Sequence, residues 1–396
     1  MTNYDTIIVG GGLGGLSAAR AISENSDISI LIIDGGKSRK NNPTRLTFRD
    51  TIENHGLSGA ILKSYRQLAI RTINGFESCH DFGSDFLVAL DYFRACEILE
   101  TELMTRKNIK ILRGRAYKLV QHPHEIQLTI NDDQVCSCQV LIDATGKKHF
   151  VLTQLGHPRP ALYSHSYGLL FDNCHHPRED RCHFIAASKA FGSGGGWYYP
   201  LNSTRASVGF AVVNNQVRFP AADLMHRFNN GIKNFLPFSD YLKGAKPIKN
   251  ESGTIPIEHT EQLVHDRILL VGDSAGQATP WMCMGVEPVV TAGEMAGDVV
   301  RTAIEKQDYS MNLLGKYQQQ WDSKFKKAYD EIKQQKVKIW FLEDEGWDFL
   351  ISHDVSRLSP SKMIQRMKSN AHLKPKLVVL CKWIIFKFFK KLGGKY

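Results

Sequence analysis

Apolar runs broken by glycine and polar turns divide this chain into alternating strand and helix signals. Thr6-Ile7-Ile8-Val9 enters Gly10-Gly11-Gly12-Leu13-Gly14-Gly15, and a second run over residues 28–33 ends at Asp34. Short apolar runs bounded by turn residues predict buried strands, so these residues predict a strand, a glycine turn, a helix and a second strand. Residues 35–90 mix polar turns with a helical stretch over 56–68. The spacing of Phe93, Ile98, Leu99 and Leu103 predicts an amphipathic helix over 91–104, with Arg94 near its start. Segments 109–112, 117–120 and 126–130 alternate as a small antiparallel meander would, and Val140-Leu141-Ile142-Asp143-Ala144-Thr145-Gly146 follows as a buried strand meeting a glycine. Between residues 156 and 260 the pattern predicts strands at 166–171, 183–187, 197–200, 207–213 and 254–257. The run Ile268-Leu269-Leu270-Val271 then ends in Gly272-Asp273 and leads, past Pro280, into a helix from about residue 288.

A chain of 396 residues with 42% hydrophobic content can bury a large core and exceeds the usual size of one domain, so two or three lobes are expected. The first strand signal begins near residue 4, with no secretory signal ahead of it, and no apolar stretch approaches the roughly 20 residues of a spanning helix. Synthesis in the cytosol is expected, with the eight scattered cysteines as thiols. The net charge of +10 has a local origin, because residues 351–396 carry eleven Lys and Arg against the single acid Asp354. The remaining body is neutral, and nothing in it predicts a nucleic-acid partner.

Gly10, Gly12 and Gly15 fill the three glycine places of a dinucleotide fingerprint, which serve a tight turn, close approach to a pyrophosphate and close helix packing. A helix starting near Leu13 and Gly14 aims its unpaired N–H groups and positive dipole end at the phosphates, and Asp34 is placed to accept both ribose hydroxyls. This pattern predicts an adenine dinucleotide without choosing between NAD and FAD.

In their order and spacing, the fingerprint, the Asp143-Ala144-Thr145-Gly146 strand end and Gly272-Asp273 resemble the FAD-binding fold of the aromatic hydroxylase superfamily. The resemblance implies FAD as the cofactor and an α/β architecture. A Rossmann-like FAD-binding domain of the GR2 type would be split between residues 1–155 and 260–305, with an interleaved antiparallel β substrate lobe over 156–259 and a helical C-terminal extension over 306–396. It implies that Asp273 bonds the ribityl chain, that Gly146 and Gly272 approach the cofactor closely and that Arg94 holds a phosphate. It also implies that the helix after Gly285-Val286 points its N-terminus at the flavin's pyrimidine end, where reduction places negative charge. Gly196-Trp197-Tyr198-Tyr199-Pro200 and Ala206-Ser207-Val208-Gly209 resemble segments of the geranylgeranyl reductase group, with flavin-dependent halogenases and lycopene cyclases as relatives. Pro280-Trp281-Met282-Cys283-Met284-Gly285-Val286 departs from the reductases' loop and is nearer the halogenases in its Gly-Val ending. Phe341-Leu342-Glu343-Asp344-Glu345 is similar to an acidic motif of lycopene cyclases but lies on the wrong side of Gly272-Asp273, and is read as coincidence.

Trp197, Tyr199, Trp281, Met282 and Met284 are expected to wall an apolar substrate pocket, since aromatic and thioether groups offer large, soft surfaces. Cys283 and Tyr198 are the leading candidates to hand a proton to the substrate, with Glu287 as an acid or base. Cys174-His175-His176 with Cys182-His183 is read as a polar loop rather than a metal site. The leading expectation is hydride transfer from reduced FAD to a C=C bond of an isoprenoid or aromatic compound, with NADPH or another external electron donor binding outside any second Rossmann domain. The rivals are a halogenase or monooxygenase working through a flavin hydroperoxide, and a non-redox flavoprotein of the lycopene-cyclase kind. Residues 375–392 place Leu377, Ile384, Ile385, Phe388 and Phe389 on one helical arc opposite Lys376, Lys387, Lys390 and Lys391. That pattern predicts an interfacial helix on an anionic membrane surface, and hence a cytoplasmic protein peripheral to a membrane's inner face.

Overall fold

The computed structural model describes residues 2–36, 43–131, 133–188, 192, 194–215, 218–232, 235–279, 283–327, 329–330 and 342–369. The predicted helix at 375–392 therefore lies outside the described residues, as do Trp281 and Met282.

Strand Thr2–Val9 sits at the centre of the first sheet, parallel to Ile30–Asp34 on one side and to Gln134–Asp143 on the other. Ile109–Arg113 and Ile268–Leu270 extend it outward, again in parallel. Helices cover the sheet, so its strands need apolar side chains on both faces, and Ile7, Ile8, Ile30, Ile32, Val140 and Ile142 are all fully buried. The segments predicted as one meander divide between two arrangements. Residues 109–112 join the parallel sheet, while Ala116–Gln121 pairs antiparallel with Ile126–Ile130, which in turn pairs antiparallel with Gln134–Asp143. An alternating run of four residues carries no information on the direction of its partner.

Helix Leu13–Ile22 packs directly on helix Val286–Lys306. Two glycines make this crossing. A Cβ on Gly293 would collide with the Gly14 carbonyl oxygen, and one on Gly297 would stand 2.6 Å from that of Ala18. The two helices thus meet backbone to backbone, and their N-termini open into the same cavity.

The second sheet runs Lys246–Pro256, Tyr163–Asp172, Ala206–Asn214, Gly194–Pro200, Arg181–Ala186, Gln67–Thr72 and Glu77–Asp81. Its neighbours are antiparallel except Arg181–Ala186 with Gln67–Thr72. The last two strands come from outside 156–259, and a three-stranded sheet of Arg45–Phe48, Leu87–Leu90 and Ile61–Tyr65 accompanies them. The helix expected over 56–68 is absent: only the short turn Ser58–Ala60 is helical there. Tyr65, Leu68 and Leu87 are buried in one core with Trp197 and Met284, and this burial overrides the local preference.

Helix Met311–Trp321 is fastened by Tyr317, whose hydroxyl donates to the Leu270 carbonyl at 2.8 Å. Helices Asp344–His353 and Pro360–Ser369 close over the second core with Trp347, Ile351, Met363 and Met367. Ser188 Oγ donates to Asp344 at 2.9 Å, and Arg366 pairs with Asp354 at 2.8 Å, holding this cap at its rim. No helix among the described residues is long and apolar enough to cross a membrane.

The helix crossing has a direct test. Gly293→Val forces two backbones apart and should lower unfolding stability in urea by about 2–3 kcal/mol. Gly315→Ala, where nothing lies within 4 Å of an added Cβ, should leave stability unchanged or raise it.

Candidate active site at the junction of two cavities

The first cavity, of about 570 Å³, lies at the ends of the parallel strands and is lined by Gly12, Leu13, Gly14, Tyr92, Gly146, Gly272, Asp273, Gly285 and Val286. Gly10 makes the turn that leads into it, with φ of +120° and with no room for a Cβ beside the Ala144 carbonyl. Gly12 caps the first helix without a side chain, and no acid stands in its first turn, so its positive end is free to face an anion. The Tyr92 hydroxyl accepts from Leu13 N at 3.3 Å and marks the floor of that approach. The long helix likewise begins at Gly285 with no side-chain cap.

Asp143 is buried at its strand end and ties the next turn in place. Its carboxyl accepts from Thr145 N at 2.9 Å, Thr145 Oγ1 at 2.7 Å and Val151 N at 2.8 Å, while its carbonyl accepts from Val271 N. This holds Gly146 against the Gly272–Ser274 turn. Asp273 faces the cavity, and burial pushes its carboxyl up to about 6 against the opposing pull of Arg45 and Lys147. At the far end Asp34 lines a separate cleft with Gly36, Phe93, Glu97 and Arg113, and accepts from Arg113 Nη1 at 2.5 Å. Two open helix ends, a carboxylate at each end and a glycine-lined approach between them are the donor and acceptor set that FAD requires. These residues fit the cofactor.

The second cavity, of about 1230 Å³, shares Arg45, Ile255, Gly285 and Val286 with the first. Its walls are Ile70, Phe184, Trp197, Tyr199, Met284, Trp347, Leu350, Ile351 and Val355, with Thr44, Ser164, Ser166 and Cys283 as its few polar groups. The Trp197 indole fills the place that side chains at 168 and 209 would occupy. A Cβ on Gly168 would stand 2.9 Å from Trp197 Cζ2, and one on Gly209 would collide with it. Burial pushes the Cys283 thiol up to about 11, countered by a hydrogen bond with Ser164 and by Arg45.

Three expected site residues are not where the sequence pattern put them. Tyr198 is fully buried on the opposite side of its strand, with its hydroxyl 3.1 Å from His176 Nδ1 and its ring stacked on Phe238. Side chains alternate along a strand, so a cavity that takes Trp197 and Tyr199 excludes the residue between them. Glu287 lines neither cavity; it lies one residue round the helix from Val286, in reach of the charges of Lys324, Lys368 and Asp50. Arg94 is exposed, pairs with Glu97 at 2.5 Å and does not line the cofactor cavity. The arginine at the junction is Arg45, with its guanidinium 5.5 Å from the Tyr92 ring centroid. Neither Arg45 nor Thr44 carries a motif; the one signal was their place in a polar segment between two strands. Among the described residues no group of His, Cys, Asp and Glu is arranged to hold a metal ion.

Asp273 gives a pH signature. Its folded value of about 6 stands above the ordinary 3.8, so the unfolded chain releases the proton first and the protein without FAD loses stability as pH rises from about 4 to 6. Asp273→Asn should remove this loss, making the FAD-free protein more stable above pH 7 by roughly 2–3 kcal/mol, with no difference near pH 3. Urea unfolding across this range measures it, and FAD binding to the variant should be weaker.

Residues 5–334 match the family model described as lycopene cyclase protein. Digeranylgeranylglycerophospholipid reductase 2 of Methanopyrus kandleri is 30% identical over 152 residues, which is 38% of this chain and 38% of that protein. The like-named protein of Methanococcoides burtonii is 23% identical over 350 residues, 81% of this chain and 80% of that one. The matched part thus spans well under half the length of the first of these relatives. Among solved structures, a geranylgeranyl bacteriochlorophyll reductase-like protein from Thermoplasma acidophilum superposes with a TM-score of 0.80 at 18% identity, covering 99% of this chain and 100% of its own. The flavin-dependent brominase Bmp2 superposes at 0.70 and 14% identity, covering 98% and 100%. At those identities the likeness is one of fold. With the family match over most of its length, the chain belongs to the lycopene cyclase protein family, and the residues that line its first cavity fit FAD.

Proposed function

We propose that the protein reduces a carbon–carbon double bond in an isoprenoid or similarly apolar compound. The observation that carries this reading is that the cofactor cavity and a second cavity walled almost wholly by apolar side chains share Arg45, Ile255, Gly285 and Val286 as lining. An apolar cleft with few polar groups selects hydrocarbon and orients it at its polar end. The relatives named for the reduction of digeranylgeranyl lipids support the same substrate class. Bound in reduced form, FAD supplies the hydride. The chain's own residues do the rest: Trp197 and Tyr199 form a flat wall, the Asp344–His353 helix shuts out water through Trp347 and Ile351, and the N-terminus of Val286–Lys306 favours negative charge at the junction. Cys283 lines this space as a thiol that keeps its proton.

The deciding experiment reduces the bound flavin anaerobically and adds digeranylgeranylglycerol phospholipid in detergent. Return of the oxidised-flavin spectrum together with a saturated product is expected. Reoxidation only on admitting oxygen, or product formation without any change in flavin oxidation state, overturns the reading.

We further infer that the basic apolar pattern of residues 375–392 brings the enzyme to an anionic membrane surface where such a substrate resides. Deleting residues 374–396 should abolish co-sedimentation with phosphatidylglycerol vesicles while leaving FAD content intact. Unchanged co-sedimentation contradicts it.

A further inference from the structure

A hydrocarbon chain is recognised by the space it fills, and the substrate cavity has a floor of regular shape. Ser166, Ala211, Gly195 and Ala186 all line it. They are register partners on four neighbouring strands: Ser166 stands opposite Ala211, Ala211 opposite Gly195, and Gly195 opposite Ala186. Ala211 and Gly195 stay only half-buried in the middle of a seven-stranded sheet, because the cavity lies over them.

One side of this row is walled. Two residues further along their strands, and so on the same face, stand Trp197 and Phe184, which pair with each other, with Ile70 opposite Phe184. The Trp197 indole lies over Gly209 and Gly168 and carries the wall across the next two strands. The two ends of the row differ. Ile255, which both cavities share, pairs with Ser164, two residues from Ser166, so the row starts beside the cofactor cavity. Ala186 lies at the other end, where Ser188 ties the start of the Asp344–His353 helix and Trp347 of that helix joins the same buried core. Beyond Ser166 the row carries no polar side chain.

Neighbouring strands lie about 4.8 Å apart. An extended backbone advances about 3.5 Å per residue, that is over three bonds, so the four chain bonds of an isoprene unit cover about 4.7 Å. We propose that this row measures the substrate: the hydrocarbon tail of a prenyl chain lies across the strands, one isoprene unit to each, from the reacting double bond near Ser166 to a tail end at Ala186. The proposal rests on the reductase reading above. Methyl branches recur along such a chain at the spacing of the strands, and the small residues at 211, 195 and 186 leave room for one at each. These three residues therefore determine specificity, by setting how many units can lie beyond the double bond that stands at the cofactor. Three strand spacings, about 14 Å, hold three units. That is the number beyond the innermost double bond of a geranylgeranyl chain.

Two variants fill the row at different depths. Ala186→Leu takes the room of the third unit, and Ala211→Leu takes the room of all three. Each is expected to bind FAD in full. With the flavin kept reduced by dithionite under anaerobic conditions, the wild type should saturate all four double bonds in each chain of digeranylgeranylglycerol phospholipid. Ala186→Leu should leave the double bond nearest the oxygen, and Ala211→Leu the three nearest it, as read from the mass and fragmentation of the products. The excluded steps should slow at least about 30-fold relative to the first step. A merely structural role would slow every step alike. If Ala186→Leu fails to fold, Ala211→Leu carries the test alone. Folded, FAD-loaded variants that saturate the whole chain, or that slow all steps equally, overturn the proposal and leave the reductase reading standing. No reduction by the wild type overturns the reductase reading, and the proposal with it.

Discussion

Backbone touches backbone where Gly14 and Ala18 face Gly293 and Gly297, and the site depends on that contact. A helix presents a positive end over about its first turn, where the leading amides lack carbonyl partners within the helix. Two such ends can act on one cofactor only if their helices cross closely near their starts. Small residues at the crossing permit this, and Gly12 and Gly285 then open both helices into one cavity without a side-chain cap. The parallel strands beneath supply the remaining groups, because each βα turn ends at the same edge of the sheet.

Burying a carboxyl is costly, and three buried acids of the two sheets meet the cost differently. Asp143 accepts three hydrogen bonds from its own turn and so serves as a brace. Asp273 has its carboxyl pushed upward by burial, as suits a group that waits for a polyol partner. Glu251 is satisfied by two hydroxyls, one of which belongs to the substrate cavity. The first braces its turn, the second faces the first cavity, and the third fastens Thr44 and Ser207 to one carboxyl.

The cofactor half of this architecture was legible in the sequence because its rules are local. Apolar runs announce strands buried on both faces, glycines mark the turn and the helix start, and Gly272-Asp273 follows its strand directly. The substrate half was legible only in outline. Its strands between 163 and 214 were found by alternation, but alternation does not say which face is inward, so Tyr198 was grouped with Trp197 and Tyr199. Residues 61–90 gave weak signals because their strands are short and owe their state to packing against Trp197 and Met284. Arg45, Thr44 and Glu251 meet across some two hundred positions, and no pattern along the chain joins them. Arg94 drew notice by standing near the start of a helix, yet that position faces solvent.

The two cavities share Arg45, Ile255, Gly285 and Val286, and on the proposed reading cofactor and substrate meet there. A crystal structure of the chain with FAD bound addresses this directly. The adenosine should lie at Asp34, the pyrophosphate before Gly12 to Gly14, and the flavin ring between Arg45 and Gly285-Val286 at the mouth of the apolar cavity. A ring turned out to solvent, or an adenine lodged among Trp197, Tyr199 and Trp347, would contradict it.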